Sequence, residues 1–280
     1  MIPYTPESLE ICTKVVRSIN AESGVWGPKC VVIGGLVPAL LGIAPPGGLM
    51  PHIGTTDVDF GIEVAAVHQD PDLYRTLKSV LTNLNFKQTG EEPSFCWIRE
   101  VDGMPVKVEL FCPVENEEQA GRIQTKPFPE SGSGLTALGI LGLDLLERDK
   151  ITIPSEGLLL DDRGIKAVEI TVCGLAMLML LKGWALAHRT KIKDGYDVVW
   201  CLKALGPDRI ATRFREAGFH ERDVGIKALE FLETSFQTPE HTGPRGWAIS
   251  SGFQGEERER EKRDAVGIVR EFTRLCRGVT

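Results

Sequence analysis

The sequence predicts an α/β protein, with a sheet-bearing core over residues 1–165 followed by an α-helical domain over 166–280. Short β-branched runs alternate with segments of helical periodicity up to about residue 165, and beyond 173 only helical periodicity remains. The chain has 280 residues, of which 42% are hydrophobic and 25% charged. That composition excludes a disordered, collagen-like or coiled-coil chain. It is long enough to bury one large core or two modest ones.

The elements follow in order. Residues 5–20 place Leu9, Cys12, Val15, Val16 and Ile19 at helical spacing. Cys30–Ile33 is a short apolar strand running into Gly34-Gly35, and Leu36–Ile43 reads as helix. Ala44–Gly54 is a loop rich in Pro and Gly. Thr56–Ile62 is predicted as strand and Asp72–Asn85 as helix. Ser94–Val101 and Met104–Phe111 flank Asp102-Gly103, a two-residue hairpin signal. Gln119–Gly134 is polar and loop-like, and Gly164–Val172 is the last strand. Helices are expected over 173–189, 194–205, 207–217, 221–236 and 256–277. Thr238–Gly255, with its two Pro and four Gly, reads as a loop.

The net charge is −7, unevenly spread: residues 1–150 hold 12 basic and 20 acidic side chains, the remainder 20 and 19. Such a balance argues against broad phosphate-neutralising contact with nucleic acid, while leaving room for a local basic groove. Seven cysteines occur without a C-x-x-C pair, mostly in apolar runs, and read as reduced, buried thiols. Met1-Ile2-Pro3-Tyr4 lacks the basic and apolar regions of a signal peptide. The longest apolar stretch, Ile170–Leu181, is closed by Lys182 after 12 residues, short of the roughly 20 that a membrane span needs. A cytoplasmic protein without a membrane partner is therefore expected.

The sharpest motif is Gly54-Thr55-Thr56-Asp57-Val58-Asp59-Phe60. On a strand, residues two apart share a face, so Asp57 and Asp59 stand side by side while Val58 and Phe60 turn inward. A carboxylate pair in a cleft needs a compensating cation, and hard Mg²⁺ or Mn²⁺ suits oxygen donors. Taken alone, the pair also fits a solvated strand face or a turn. Gly34-Gly35 lets the backbone approach a ligand some 20 residues upstream. Glu109, an acid inside the apolar run Val106–Phe111, is a third carboxylate, or by itself an exposed residue on an edge strand. Downstream, Leu181–Val198 gathers Lys182, Arg189, Lys191 and Lys193 beside Asp194 and Asp197. This patch could hold a triphosphate or a nucleic-acid backbone, or be a solvated helix end answering the macrodipole. His188 has no second His or Cys at ligand spacing, so zinc is not indicated. Gly132-Ser133-Gly134-Leu135-Thr136-Ala137 imitates a dinucleotide fingerprint, but Lys126-Pro127-Phe128-Pro129 before it is no strand. No Walker A sequence occurs, and Glu256–Arg263 reads as a solvated helix face.

Together these pieces resemble the nucleotidyltransferase superfamily and, within it, the AbiEii-type toxin family of toxin–antitoxin systems. Gly34-Gly35 is similar to its glycine motif and Thr55-Thr56-Asp57-Val58-Asp59 to its T-x-D-x-D strand, with Glu109 where a third acid falls. Lys182 through Asp197 resembles its K-x-x-A-x-x-R-x-x-x-K-D-x-x-D segment. The resemblance spans residues 30–205 and implies a nucleotidyltransferase-like mixed β-sheet core. It implies transfer of a nucleoside monophosphate from an NTP to an acceptor, a tRNA 3′ end in characterised relatives, with a cognate antitoxin protein as partner. Asp57, Asp59 and Glu109 would hold Mg²⁺ (or Mn²⁺), with Glu109 activating the acceptor hydroxyl. Gly34, Gly35, Thr55, Thr56, Arg189 and Asp197 would belong to the nucleotide site. Lys182 and Lys193 would contact phosphates, Asp194 would meet the lysine pair or the nucleotide, and Asp197 would also orient the segment. The chain departs from the family pattern at Leu36, where Ser or Thr is usual, at Ile53 in place of Arg, in its long loop 44–54 and in Glu as the third acid. Two other functions fit the same residues: nucleotidyl transfer to a small molecule such as an antibiotic, and non-catalytic binding of a nucleotide or partner.

Overall fold

A capping box starts the chain's first helix: Thr5 Oγ1 accepts from the Ser8 amide at 3.1 Å and Ser8 Oγ from the Thr5 amide at 3.0 Å. The structure is a computed structural model describing residues 5–62, 72–90, 94–124 and 135–278. Residues 1–4 and residues 125–134 of the expected 119–134 loop, with the Gly132-Ser133-Gly134 stretch, lie outside the described residues. Two compact units emerge, Met1–Leu41 with Ile53–Cys173, and Gly42–His52 with Gly174–Thr280. The sheet unit thus runs to Cys173 rather than 165, and the loop 42–52 groups with the helices.

In the sheet unit, α1 (Pro6–Ser23) buries Cys12, Val15, Val16 and Ile19 of the expected stripe, joined by Ile11, while Leu9 is half-buried. The strands are β1 (Cys30–Ile33), β2 (Asp57–Ile62), β3 (Lys87–Gln88), β4 (Cys96–Val101), β5 (Met104–Pro113), β6 (Ile123–Gln124), β7 (Ala137–Ile140), β8 (Lys150–Leu158) and β9 (Ile165–Cys173). They form one mixed sheet in the order β3-β4-β5-β2-β1-β9-β8, with β7 pairing β5 and β6. The β4–β5 hairpin turns on Asp102 (φ 50°) and Gly103 (φ 79°), the left-handed pair that a two-residue turn requires. β2 lies antiparallel to β1 and parallel to β5. Val31, Val32, Val58, Phe60, Val106, Val108 and Leu110 are wholly buried around this centre.

The structure corrects the expected elements of this unit. The helix expected over Leu36–Ile43 shortens to α2 (Val37–Leu40), because Gly42 leaves helical geometry at φ 62°. β3, β6, β7 and β8 had no counterpart in the sequence pattern. Pro154 obscures β8, yet it is tolerated there because β8 pairs only with β9. α1 holds the β8–β9 hairpin: Arg17 donates to Ser155 Oγ (3.2 Å) and the Leu158 carbonyl (2.9 Å), and the Leu160 amide donates to Ser18 Oγ (2.8 Å). The remaining helix of this unit, α3, covers Asp72–Asn83.

The second unit contains α4 (Leu175–His188), α5 (Lys193–Leu205), α6 (Pro207–Glu216), α7 (Asp223–Ser235), α8 (Thr242–Ser250) and α9 (Gly255–Cys276). The apolar stretch Ile170–Leu181 is divided between the end of β9 and the start of α4. α8 overturns the loop expected over Thr238–Gly255. Pro244 sits in its first turn, where amides have no intrahelical acceptor. Its glycines admit close backbone contact: a Cβ on Gly246 would stand 2.3 Å from the Ile192 carbonyl oxygen, and one on Gly195 of α5 2.4 Å from that of Gly243. Tyr196, Trp200, Phe214, Phe219, Trp247 and Phe272 form the unit's core. Nor is Glu256–Arg263 a purely solvated face. Lys262 is buried against Glu240 (2.5 Å) and Glu259 (3.0 Å), and Glu261 accepts from Lys203 (2.5 Å) and Trp247 Nε1 (3.0 Å).

Candidate functional site

The carboxylate motif occupies the middle of the sheet. Val58 and Phe60 are wholly buried while Asp57 and Asp59 are half-buried, so the two acids share the other face of β2. Thr55 fixes the entry: its hydroxyl accepts from the Asp57 amide at 3.1 Å and the side chain is buried. Its role is therefore in the strand's own backbone, whereas Thr56 is half-buried beside it. In the register, Asp59 faces Glu109 on β5 and Asp57 faces Lys107. Glu109 is thus on a central strand, between β2 and β4, and not on a sheet edge.

The glycine turn meets the same spot. Ile33 pairs with Asp59, and the next residue, Gly34, has φ 76°. A Cβ at Gly34 would lie 2.0 Å from Asp59 Oδ2, so only glycine accommodates the carboxylate there. Gly35 follows, buried, as is Leu36. Leu36 is a core side chain, which accounts for its apolar character at that position. On the interior side, burial first, and then Asp57 and Asp59, push the Cys12 thiol up to about 12. Its Sγ donates to the Thr55 carbonyl at 3.5 Å.

Asp57, Asp59 and Glu109 are the hard oxygen donors that Mg²⁺ or Mn²⁺ takes, and the register brings all three to one face of adjacent strands. Among the described residues, no group of three or more His, Cys, Asp or Glu side chains already converges as a metal-holding cluster. The donor types, though not their present spacing, are those of divalent-cation ligands.

In the helical unit, Lys182 of α4 and Lys193, Asp194 and Asp197 of α5 form a buried charge network. Lys182 Nζ lies 2.6 Å from Asp194 Oδ1, and 2.6 Å from Asp197 Oδ2 as an ion pair outside hydrogen-bond geometry. Lys193 Nζ donates to Asp197 Oδ1 at 2.5 Å. Arg189 grips Asp194 with two bonds, Nε to Oδ2 at 2.7 Å and Nη2 to Oδ1 at 2.8 Å. The basic patch expected from the sequence is therefore divided. The Lys182 and Lys193 side chains are each only 6% exposed and engaged with the aspartates, whereas Arg189 is 45% exposed. Arg189 and Lys191 line a cavity of about 150 Å³ with Arg245, Ile192 and Ile249.

Burial opposes ionisation of both aspartates, yet the Lys182 and Lys193 ammoniums hold Asp197 well below the usual carboxylate range. Lys182 and Arg189 likewise hold Asp194 low. Burial also opposes the charge of Lys182, but its two carboxylate neighbours raise its pKa. Lys193 is lowered, because burial together with repulsion from Lys182 outweighs its single carboxylate.

His52 is the member that the sequence did not announce. Its Nε2 is 3.0 Å from Asp197 Oδ1, across 145 residues of chain, and its side chain is 4% exposed. Its ring stands 5.2 Å from Tyr196 and 4.9 Å, edge-on, from Trp200. The only sequence signal was a histidine in a Pro/Gly-rich loop just before the T-x-D motif. His188 stacks on Trp184 at 5.4 Å. Among the described residues, no helix is long and apolar enough to cross a membrane. Comparison with family models, with curated proteins and with solved structures finds no match.

Proposed function

We propose that this chain is a Mg²⁺-dependent nucleotidyltransferase that moves a nucleoside monophosphate from an NTP to an acceptor hydroxyl and releases pyrophosphate. The observation that carries this reading is the fit of Gly34, with its positive φ, against the Asp59 carboxylate. A glycine turn against paired strand carboxylates brings side-chain-free backbone next to the ligands of a cation, where a triphosphate would bind. Asp57, Asp59 and Glu109 would hold Mg²⁺, or Mn²⁺, which supplies charge stabilisation at the reacting phosphate. Glu109 takes the proton of the acceptor hydroxyl, and Gly34 and Gly35 border the triphosphate. Arg189 contacts phosphate, while Lys182 and Lys193 brace Asp194 and Asp197. By its resemblance the chain acts on a tRNA 3′ end, as the toxin paired with an antitoxin protein.

Incubation with each α-labelled NTP and total tRNA tests this. Label should pass to tRNA with the native chain and vanish with Asp59→Asn. Absence of transfer with all four NTPs, or undiminished transfer by Asp59→Asn, overturns it. The acidic balance of residues 1–150 favours a second reading, in which the acceptor is a small molecule. Labelled low-mass products in place of labelled tRNA would establish that one.

A further inference from the structure

Asp197 is the hub of the helical unit's charge network, where two hydrogen-bonding side chains and a further ammonium meet from three segments. Lys193 comes from its own helix, Lys182 from α4 and His52 from the loop 42–52. A carboxylate only accepts, so a neutral His52 must carry its proton on Nε2. The loop has a second fastening, Trp200 Nε1 to the Met50 carbonyl at 2.9 Å, so both ties run to α5. From Asp197 the contacts continue without a gap through Lys182 and Asp194 to Arg189, the one half-exposed member.

We propose that His52 is a positioning residue: as a neutral imidazole donating to Asp197, it fixes the carboxylate shared by Lys182 and Lys193. Through Lys182 and Asp194 it thereby aims the guanidinium of Arg189. This rests on the nucleotidyltransferase reading only in making Arg189 a phosphate contact. The groups facing His52 are Asp197, Lys193 and Tyr196 on α5 and Lys182 on α4. With His52 neutral the network holds three cations against two carboxylates, and a protonated ring adds a fourth cation to a buried site. Burial, and then Lys193 and Lys182, accordingly hold the ring's pKa low against the pull of Asp197. Acid should therefore loosen the network from the histidine side first.

The full chain is compared with His52→Gln, which keeps an N–H donor but does not titrate, and with His52→Ala. The Arg189 Nε–H resonance, assigned by its loss in Arg189→Lys, reports the network by NMR without reference to activity. In the native chain and His52→Gln it should be protected from exchange at pH 7.5, and in His52→Ala broadened. Loss of one hydrogen bond to a charged group should weaken Mg²⁺–NTP binding about tenfold in His52→Ala, and less than about threefold in His52→Gln. As pH falls below the ordinary histidine range the native signal should lose protection while that of His52→Gln persists. Should His52→Ala fail to fold, the pH comparison between the native chain and His52→Gln still decides. A folded His52→Ala with an unchanged Arg189 signal, or identical pH profiles for native and His52→Gln, overturns the proposal. NTP binding absent from the native chain, with the Arg189 signal behaving as stated, removes the nucleotide reading and leaves the role of His52 standing.

Discussion

Gly34 and Asp197 show how single residues set the carboxylate strand of one unit and the charge network of the other. Gly34→Ala places a methyl 2.0 Å from Asp59 Oδ2 and forces a side chain into left-handed backbone. The backbone term costs about 1–2 kcal/mol, and the displaced carboxylate should reduce nucleotidyl transfer by more than about 100-fold. Thermal melts beside the label-transfer assay check this. A melt shift with unaltered transfer would separate Gly34 from the chemistry. Asp197→Ala strands Lys182 and Lys193 in the interior without their shared carboxylate. Breaking a buried pair from one side costs about 3–5 kcal/mol, to be read from the urea midpoint. The same groups fix the response to acid. The depressed Asp194 and Asp197 contribute stability that is present above the ordinary carboxylate pKa and lost as pH falls through their own. His52 acts at higher pH: held low in the fold, it binds its proton more readily when unfolded, so stability begins to fall below about pH 6.5. Urea midpoints from pH 7.5 down to about pH 2 should decline in both windows, and His52→Gln should lack the upper one.

Among the elements, α8 marks where local pattern misleads. Pro and Gly between two helices read as a loop, yet Gly243, Gly246 and Gly195 serve a helix contact in which backbones nearly touch. Their reason lies on the neighbouring helix. Gly246→Ala should drive its methyl into the Ile192 carbonyl, at a cost of about 1–3 kcal/mol from overpacking. A melting temperature equal to that of the native chain would show that α5 and α8 separate freely. By contrast, β1, β2, β4, β5 and the Asp102-Gly103 turn were legible because their signals are local: alternation, β-branching and a turn pair that takes positive φ. β8 was hidden by Pro154, which only an edge position permits.

At the scale of the whole molecule, all seven cysteines are buried thiols. Burial pushes the Cys12 and Cys112 thiols up to about 12, which suppresses the reactive thiolate. A thiol reagent such as DTNB should therefore titrate close to none of them in the native chain and all seven in guanidinium. Rapid native reaction of several would contradict the packing. The charge asymmetry also finds its place: the acidic stretch holds the strand carboxylates, while the cations of the other unit are partly cancelled by Asp194 and Asp197. The sequence by itself determined the α/β class, the strand carrying Asp57 and Asp59 on one face, the glycine turn before it and the run from Lys182 to Asp197, because each is written within a few neighbouring residues. Only the tertiary structure decided that Gly34 abuts Asp59, that Glu109 stands opposite it, that Lys182 and Lys193 are buried, and that His52 completes Asp197. Those facts depend on chain segments far apart in sequence, 145 residues in the case of His52 and Asp197, and on burial, which turns a run of charges into a paired network.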